Sequence, residues 1–198
     1  MNFIQRVSRR GPCFLIPFEL IVAAVRGIRN ALSVFRCVFY GIKIAKNVHI
    51  GPGLRFNYPW NIEIKDNCTI EHAVRFWCEC DNNDAKLTLE PNVHIGRDSS
   101  IDFTGGLIIG EGTLFSEGVI IHTHDHGYDP RSIPDPHLLT IGKNTWIGVR
   151  AIILPTVQRI GNRVIVGAGA VVSKDIPDDM IYVSQTGRTF SKKEKIKK

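Results

Sequence analysis

The sequence predicts an all-β fold, a parallel β-solenoid built from short strands, with a helical segment before it. Eighteen positions, in six groups of three at a spacing of six residues, are aliphatic or Phe. Seven of them are followed directly by Gly, although the 198 residues hold only 18 Gly. A period of six matches neither the helical repeat nor a long plain strand, and it is typical of stacked coils with short flat sides. The eighteen positions are Ile44, Ile50, Phe56, Ile64, Ile70, Phe76, Leu89, Ile95, Ile101, Ile109, Phe115, Ile121, Ile141, Ile147, Ile153, Ile160, Val166 and Val172.

The segment before the repeat, residues 13–40, is apolar and has a helical pattern. Charged residues interrupt every long apolar run in it, which disfavours a membrane-spanning helix. Arg26, Arg29 and Arg36 fall on one side of such a helix. Two alternatives remain: a cap that shields the first coil, as open-ended repeats require, or an amphipathic helix that lies on a membrane surface.

Each group of three hexads is expected to form one triangular coil, with the repeated aliphatic residue pointing inward. The Gly that follows fits a corner whose backbone would be strained for a residue with a Cβ. Two insertions, 78–86 and 122–138, interrupt the repeat, and insertions of this kind are surface loops that often carry function. The predicted organisation is a helical cap or membrane-surface segment over 1–42, the solenoid over 43–177, and an extension with a basic tail over 178–198.

Composition and charge narrow the class of protein. A hydrophobic fraction of 43% with 22% charged residues suits a soluble globular protein. The net charge of +6 comes largely from the two ends, which are either solvated tails or segments attracted to an anionic membrane face or a phosphorylated ligand. No basic stripe with interleaved aromatics is present, so nucleic acid is not a predicted partner.

Five cysteines form no disulfide framework, and no signal peptide is evident, so we expect a cytoplasmic protein, located at the inner face of the membrane.

The second insertion holds four of the seven histidines. Transfer of an acyl group to an alcohol needs a base near neutral pH, and imidazole is the side chain best suited to that role. His122, His124 and His126 alternate, so on an extended strand they share a face and would offer zinc ligands. Because alternate residues lie about 7 Å apart, they crowd poorly onto one ion without help from a neighbouring subunit. We therefore predict no metal.

Three stretches, 139–150, 151–155 and 160–177, resemble the C-terminal signature of the hexapeptide-repeat acetyltransferases. That family includes maltose, galactoside and polysaccharide O-acetyltransferases. The resemblance implies a left-handed parallel β-helix and a homotrimer with active sites between subunits. It also implies acetyl-coenzyme A as the co-substrate and a sugar or saccharide as the acceptor.

The resemblance also suggests site residues. The family's catalytic His matches His126, which precedes Asp129-Pro130, and His124 is the second candidate because some members carry the base in a His-Asp pair. Asp102 stands where sugar acetyltransferases place an Asn against the acceptor, and Asp125 and Tyr128 are further candidates for acceptor contacts. The positions that match coenzyme A contacts are Trp146, Gly148, Val149, Gly167, Ala168, Ser173, Lys174 and Arg188. The backbone N–H of Gly148 is a candidate donor to the developing oxyanion.

The expected activity is O-acetyl transfer from acetyl-coenzyme A to a sugar hydroxyl, in the biosynthesis of a capsule, exopolysaccharide or lipopolysaccharide. Three alternatives stay open: N-acetylation of an amino sugar, a trimeric zinc hydratase of the carbonic-anhydrase type, and a scaffold without activity. The identity of the acceptor is not encoded in any motif that the sequence shows.

Overall fold

The computed structural model describes residues 16–80 and 85–184. It begins with one helix, α1 (Ile16–Phe39), which leads into a stack of three-sided coils. A 3₁₀ turn (Pro59–Asn61) precedes the second coil. Among the described residues, no helix has the length and apolar character needed to cross a membrane.

Three parallel sheets form the sides of the solenoid, because strands of successive coils pair in register. Strands are numbered along the chain. The first sheet holds β1 (Lys43–Ile44), β4 (Ile62–Ile64), β7 (Leu87–Leu89), β10 (Leu107–Ile109), β15 (Leu139–Ile141) and β18 (Arg159–Ile160). The second holds β2 (His49–Ile50), β5 (Thr69–Ile70), β8 (His94–Ile95), β11 (Leu114–Phe115), β16 (Trp146–Ile147), β19 (Ile165–Val166) and β21 (Ile181–Tyr182). The third holds β3 (Arg55–Phe56), β6 (Arg75–Trp77), β9 (Ser100–Asp102), β12 (Ile120–Ile121), β17 (Ile152–Ile153) and β20 (Val171–Val172).

The interior of the solenoid is the aliphatic ladder that the period of six predicts. Sixteen of the eighteen repeated positions are buried, and the other two, Ile44 and Phe56 in the first coil, are partly buried against the same core. The pairing register places each repeated residue directly above its counterpart in the next coil, as in Ile70 beside Ile95. Parallel pairing continues beyond residue 177, where β21 adds a last strand to the second sheet.

The glycines that follow the repeated residues are not explained by the backbone strain that the sequence suggested. Those that follow the repeated aliphatic residue do not adopt a positive φ; that conformation falls on other corner residues, such as Asn144. A Cβ on Gly148 would instead lie 2.6 Å from the backbone nitrogen of Ala168, in the next coil. The backbone of the next coil likewise leaves no room for a side chain at Gly51, Gly96, Gly110, Gly142 and Gly161, whereas the nearest atom to a Cβ on Gly167 would be in the Val183 side chain, at 3.1 Å.

Helix α1 packs on the first coil through one of its faces. Cys37 is fully buried, and the Asn30 Oδ1 atom accepts a hydrogen bond from the backbone N–H of Ile50 at 2.7 Å. The Arg36 guanidinium lies over the Phe56 ring at 5.1 Å and donates to the carbonyl of Leu54. The helix therefore packs against the first coil at the open end of the solenoid.

Candidate active site

The candidate site lies where the strands of the third sheet end. Trp77 ends β6 and is paired in register with Asp102, which ends β9. The next strand, β12, leads directly into the insertion 122–138. This insertion folds back as a hairpin, in which β13 (His124–Asp125) pairs antiparallel with β14 (Asp135–Pro136). The hairpin therefore brings the histidine-rich segment over the ends of β6 and β9.

Asp102 is fully buried beneath the hairpin. Its Oδ1 atom accepts hydrogen bonds from the backbone N–H and the hydroxyl of Thr104, at 2.9 and 2.6 Å. Its Oδ2 atom accepts from the backbone N–H and hydroxyl of Thr123, at 2.6 and 2.9 Å, and lies 2.8 Å from Nδ1 of His124. The expectation that Asp102 contacts the acceptor does not fit this geometry, because both oxygens are saturated and shielded from solvent. The carboxylate orients His124 instead.

His124 is held in one tautomer by this contact. A carboxylate only accepts hydrogen bonds, so Nδ1 carries a proton, and Nε2 has a lone pair whenever the ring is neutral. The ring is nearly buried and packs edge-on against Trp77, with ring centroids 5.6 Å apart. Its Nε2 atom faces the entrance of the site, 2.9 Å from Oε2 of Glu79. An oriented imidazole with a basic Nε2 is the arrangement that general-base catalysis requires.

His126 is more exposed than His124, and its Nδ1 atom contacts only its own loop. Its Nδ1 atom lies 2.8 Å from the carbonyl oxygen of Ser132, and the Ser132 hydroxyl donates back to the carbonyl of His126. The hydrogen bond to Ser132 and the negative charge of Glu79 raise the pKa of His126. No buried carboxylate among the described residues supports this ring, so the structure places His126 beside the base candidate and gives His124 the stronger orientation.

The other predicted acceptor residues lie at the edge of the site. The Oδ1 atom of Asp125 accepts the backbone N–H of Gly127, and its Oδ2 atom lies 3.3 Å from Nε2 of His137. The hydrogen bond from Gly127 lowers the pKa of Asp125, and the contact with His137 lowers it further. Tyr128 is fully exposed at the tip of the hairpin. The structure therefore does not bring Tyr128 to the imidazoles.

Sequence reasoning missed two residues of the site, Glu79 and Trp77. Glu79 comes from the first insertion, and its backbone N–H donates to the Thr104 hydroxyl at 2.9 Å. The Nε1 atom of Trp77 is buried and makes no hydrogen bond to any described residue. One feature of the sequence could have indicated Glu79: the first insertion follows β6, which lies two coils before β12 in the same sheet, and β12 leads into the histidines.

The residues predicted to contact coenzyme A fall at two corners of the solenoid. Trp146, Val149 and Ala168 are exposed at the second sheet or just after it, and the Trp146 indole N–H donates to the Ser116 hydroxyl at 2.9 Å. Ser173 and Lys174 are exposed after β20, where the register places Ser173 two coils from His122, about 10 Å along the stack. Arg188 lies outside the described residues.

The oxyanion role considered for Gly148 is not supported. Its backbone N–H donates to the carbonyl of Val166 at 2.8 Å, as part of the parallel ladder between coils. The backbone N–H of Gly167 likewise donates to the carbonyl of Tyr182. Neither N–H is available to a substrate oxygen. Both N–H groups serve the ladder between coils and are not donors to the substrate.

Comparison with known proteins concerns the family. Residues 139–174 match the family model described as the hexapeptide repeat of succinyl-transferase. The galactoside O-acetyltransferase of Lactococcus lactis is 34% identical over 100 residues, which cover 46% of this chain and 48% of that protein. The resemblance to the hexapeptide-repeat acetyltransferases is confirmed. The putative colanic acid biosynthesis acetyltransferase WcaF of Escherichia coli is 27% identical over 144 residues, 72% of this chain and 64% of WcaF.

The solved structures support the fold. AntD, an N-acyltransferase from Bacillus cereus in complex with dTDP and 3-hydroxybutyryl-CoA, matches with a TM-score of 0.65 at 23% identity, over 77% of this chain and 84% of AntD. At this identity the likeness shows the fold alone. The predicted fold class, a left-handed parallel β-helix with an N-terminal helix, is confirmed. The chain spans about half the length of the galactoside O-acetyltransferases that it matches.

Proposed function

We propose that the protein transfers acetyl from acetyl-coenzyme A to a sugar hydroxyl, with His124 as general base. The observation that carries this proposal is the contact between Nδ1 of His124 and the buried carboxylate of Asp102 at 2.8 Å. A hydroxyl is a weak nucleophile until a base removes its proton. Asp102 sets the tautomer and stabilises the imidazolium that forms, while Trp77 fixes the plane of the ring.

The proposed reaction is a direct transfer. His124 Nε2 takes the proton of the acceptor hydroxyl as its oxygen attacks the thioester carbonyl. The tetrahedral intermediate collapses, the C–S bond breaks, and the imidazolium returns the proton to the departing thiolate. Glu79 must turn away first, because its carboxylate faces Nε2 at 2.9 Å. The side chain is partly exposed and has room to turn. In this scheme His126 and Glu79 border the acceptor, and no metal takes part.

A polysaccharide precursor is the proposed acceptor class. Support comes from the relatives named for such pathways, WcaF and the putative lipopolysaccharide O-acetyl transferase WbbJ of Escherichia coli. These two proteins and the galactoside O-acetyltransferases are all named acetyltransferases, which favours this activity over the hydratase alternative. The direct test is incubation with labelled acetyl-coenzyme A and a panel of nucleotide sugars and lipid-linked saccharides. A labelled, base-labile ester on one acceptor supports the proposal, and a base-stable amide would make the protein an N-acetyltransferase.

We propose that the active unit is a homotrimer, with the outer face of the second sheet in the contact between subunits. An in-register row of apolar side chains is exposed there, formed by Leu114, Trp146, Ile165 and Ile181. Exposed apolar rows of this kind on a rigid sheet mark interaction surfaces. The same row includes Trp146, one of the positions expected at the coenzyme, which agrees with sites that lie between subunits.

Charge substitution in this row is expected to dissociate the assembly. Light scattering of the wild type should give three times the 22.2 kDa of one chain, and Ile165→Lys should give one chain. Burying an unpaired ammonium in an apolar contact costs on the order of several kcal/mol. Ile108→Lys is the matched control, because Ile108 is equally exposed, at 39%, on the first sheet. A wild-type monomer, or dissociation by the control alone, would contradict the proposal.

We further propose that the protein works in the cytoplasm at the inner face of the membrane and that α1 rests on anionic lipid. Helical spacing places a stripe of large apolar side chains opposite the buried face that holds Asn30 and Cys37. Arg29 flanks the stripe and is exposed, as a snorkelling side chain above lipid headgroups would be, while the Arg36 guanidinium is held by the carbonyl of Leu54. The stripe consists of Ile21, Val25, Ile28, Leu32, Phe35 and Phe39, which are 47% to 75% exposed.

This membrane contact predicts co-sedimentation with vesicles. At low salt the wild type should pellet with vesicles that contain phosphatidylserine and stay in solution with purely zwitterionic ones. Replacing both Ile28 and Phe35 with Ser should weaken binding by at least about tenfold, since each lost apolar side chain contributes about 1.5–3 kcal/mol. Ile133→Ser on the exposed hairpin is the control. Self-association through α1, with no vesicle binding, would contradict the membrane proposal.

A further inference from the structure

Three metal-ligating atoms converge at the entrance of the site. Oε2 of Glu79 lies 2.9 Å from Nε2 of His124 and 3.4 Å from Nε2 of His126. All three atoms lie within 4.8 Å of one another. The two rings stand nearly perpendicular, with centroids 5.2 Å apart, so both direct Nε2 toward the same carboxylate oxygen.

The contacts behind the two rings aim both Nε2 atoms at Glu79. Nδ1 of His124 faces the Asp102 carboxylate, and Nδ1 of His126 faces the carbonyl of Ser132. Both partners only accept hydrogen bonds, so Nδ1 carries a proton on each ring. The Glu79 carboxylate also only accepts, so two neutral rings would point two lone pairs at its oxygen. Only a positive charge among the three atoms, either a second ring proton or a metal ion, removes that repulsion.

We propose that Glu79, His124 and His126 bind a divalent cation of the zinc class. Bonds of about 2.0–2.1 Å in a tetrahedral site place ligand atoms about 3.3 Å apart, close to the 2.9 and 3.4 Å seen here. Two imidazoles and one carboxylate suit zinc, whereas calcium and magnesium prefer oxygen ligands. The contacts behind both Nδ1 atoms match the outer-shell support that metal-ligating histidines receive.

The structure removes the objection to a metal site that the spacing of the histidines raised. Alternate histidines on one strand were expected to need help from a neighbouring subunit. His126 lies beyond the end of β13, where the chain turns, and this turn brings its Nε2 back toward His124. The third ligand is Glu79 from the first insertion, and it belongs to the same chain.

Occupation of this site and base catalysis exclude each other, so zinc is an inhibitor. This part of the inference rests on the proposed function, because the lone pair that would ligate the ion is the one that takes the hydroxyl proton. The ion would hold Glu79 across the entrance at the same time. Free zinc would thereby link the rate of transfer to the availability of the metal.

Metal binding is measured first and without any activity assay. The chelator-treated wild type is titrated with ZnCl₂ by calorimetry, and Co²⁺ serves as a spectroscopic probe of tetrahedral coordination. We expect one ion per chain, with binding weakened at least about tenfold in Glu79→Gln and in His126→Ala. His94→Ala is the control, since His94 belongs to neither group of convergent ligand atoms, and His137→Ala tests the second group, formed by Asp125, Asp135 and His137. No binding, or loss of binding only in His137→Ala, overturns the site.

The second arm measures transfer. Zinc should inhibit acetyl transfer by the wild type over the concentration range in which it binds, and excess chelator should restore the rate. In Glu79→Gln, inhibition should need at least about tenfold more zinc. If zinc binds but no acceptor is acetylated under any condition, the proposed function fails and the metal site stands. If transfer proceeds and saturating zinc leaves it unchanged, the inhibitory role is overturned.

Discussion

Replacing His124 with Ala is expected to lower kcat for acetyl transfer by about 10²- to 10⁴-fold, the usual contribution of a positioned general base. The variant should bind coenzyme A with unchanged affinity, because the expected coenzyme positions lie on later coils, at Trp146 and beyond. Initial rates of coenzyme A release at saturating substrates give kcat, and calorimetry with coenzyme A gives the affinity. Unchanged far-ultraviolet dichroism would show that the coils remain folded.

His126→Ala is the matched comparison for His124→Ala. It removes an imidazole from the same hairpin but leaves the contact between Asp102 and His124 intact. We expect a decrease in kcat of less than about tenfold, together with a change in KM for the acceptor. A larger loss in His126→Ala than in His124→Ala would reverse the assignment and return the base to the residue that the motif resemblance favoured.

Asp102→Asn is expected to lower kcat by about 10²-fold or more without removing any side-chain volume. Five donors converge on the two carboxylate oxygens of Asp102. An amide offers one oxygen and one NH₂ group, so the NH₂ must face a donor on one side. If it faces His124, it draws the imidazole proton to Nε2 and blocks the base. If it faces Thr104, that backbone N–H is left buried without an acceptor.

Two readouts separate this positioning role from a merely structural one. Nitrogen chemical shifts of His124 report which ring nitrogen carries the proton, and they should move in Asp102→Asn. Thr104→Val is the control, because it removes the hydroxyl that donates to Asp102 and accepts from the backbone N–H of Glu79 but leaves the carboxylate in place. We expect the control to lose stability but to keep the His124 tautomer. Equal losses of kcat in both variants, with unchanged shifts, would contradict the role given to Asp102.

The ladder of the solenoid was predictable because its constraint is local and repeated. Each coil must bury one large aliphatic side chain per face, so Ile70 and Ile95 could be placed without knowing the rest of the chain. The handedness of the coil could not be predicted from the period and came only from the resemblance to a family. The glycines are needed where two coils come close together, as at Gly148. The period of the sequence gives no information on that distance.

The site was predictable only in part. The histidine-rich insertion was evident from composition, but the choice between His124 and His126 depends on which Nδ1 finds a buried acceptor. Asp102 follows the inward-facing Ile101, so strand alternation places it outward. It is buried because the hairpin folds over it. Glu79 comes from an insertion with no repeating register. The period places this insertion two coils before the histidines, but it does not indicate which of its side chains faces them.

The central claim is that Nε2 of His124 receives the hydroxyl proton. A crystal structure of the wild type with coenzyme A and the acceptor found in the saccharide screen tests it most directly. We expect the reactive hydroxyl oxygen within about 3 Å of Nε2 of His124, with Glu79 turned away and the coenzyme sulfur facing the same oxygen. A hydroxyl bound to Nε2 of His126, with His124 still covered by Glu79, would contradict it.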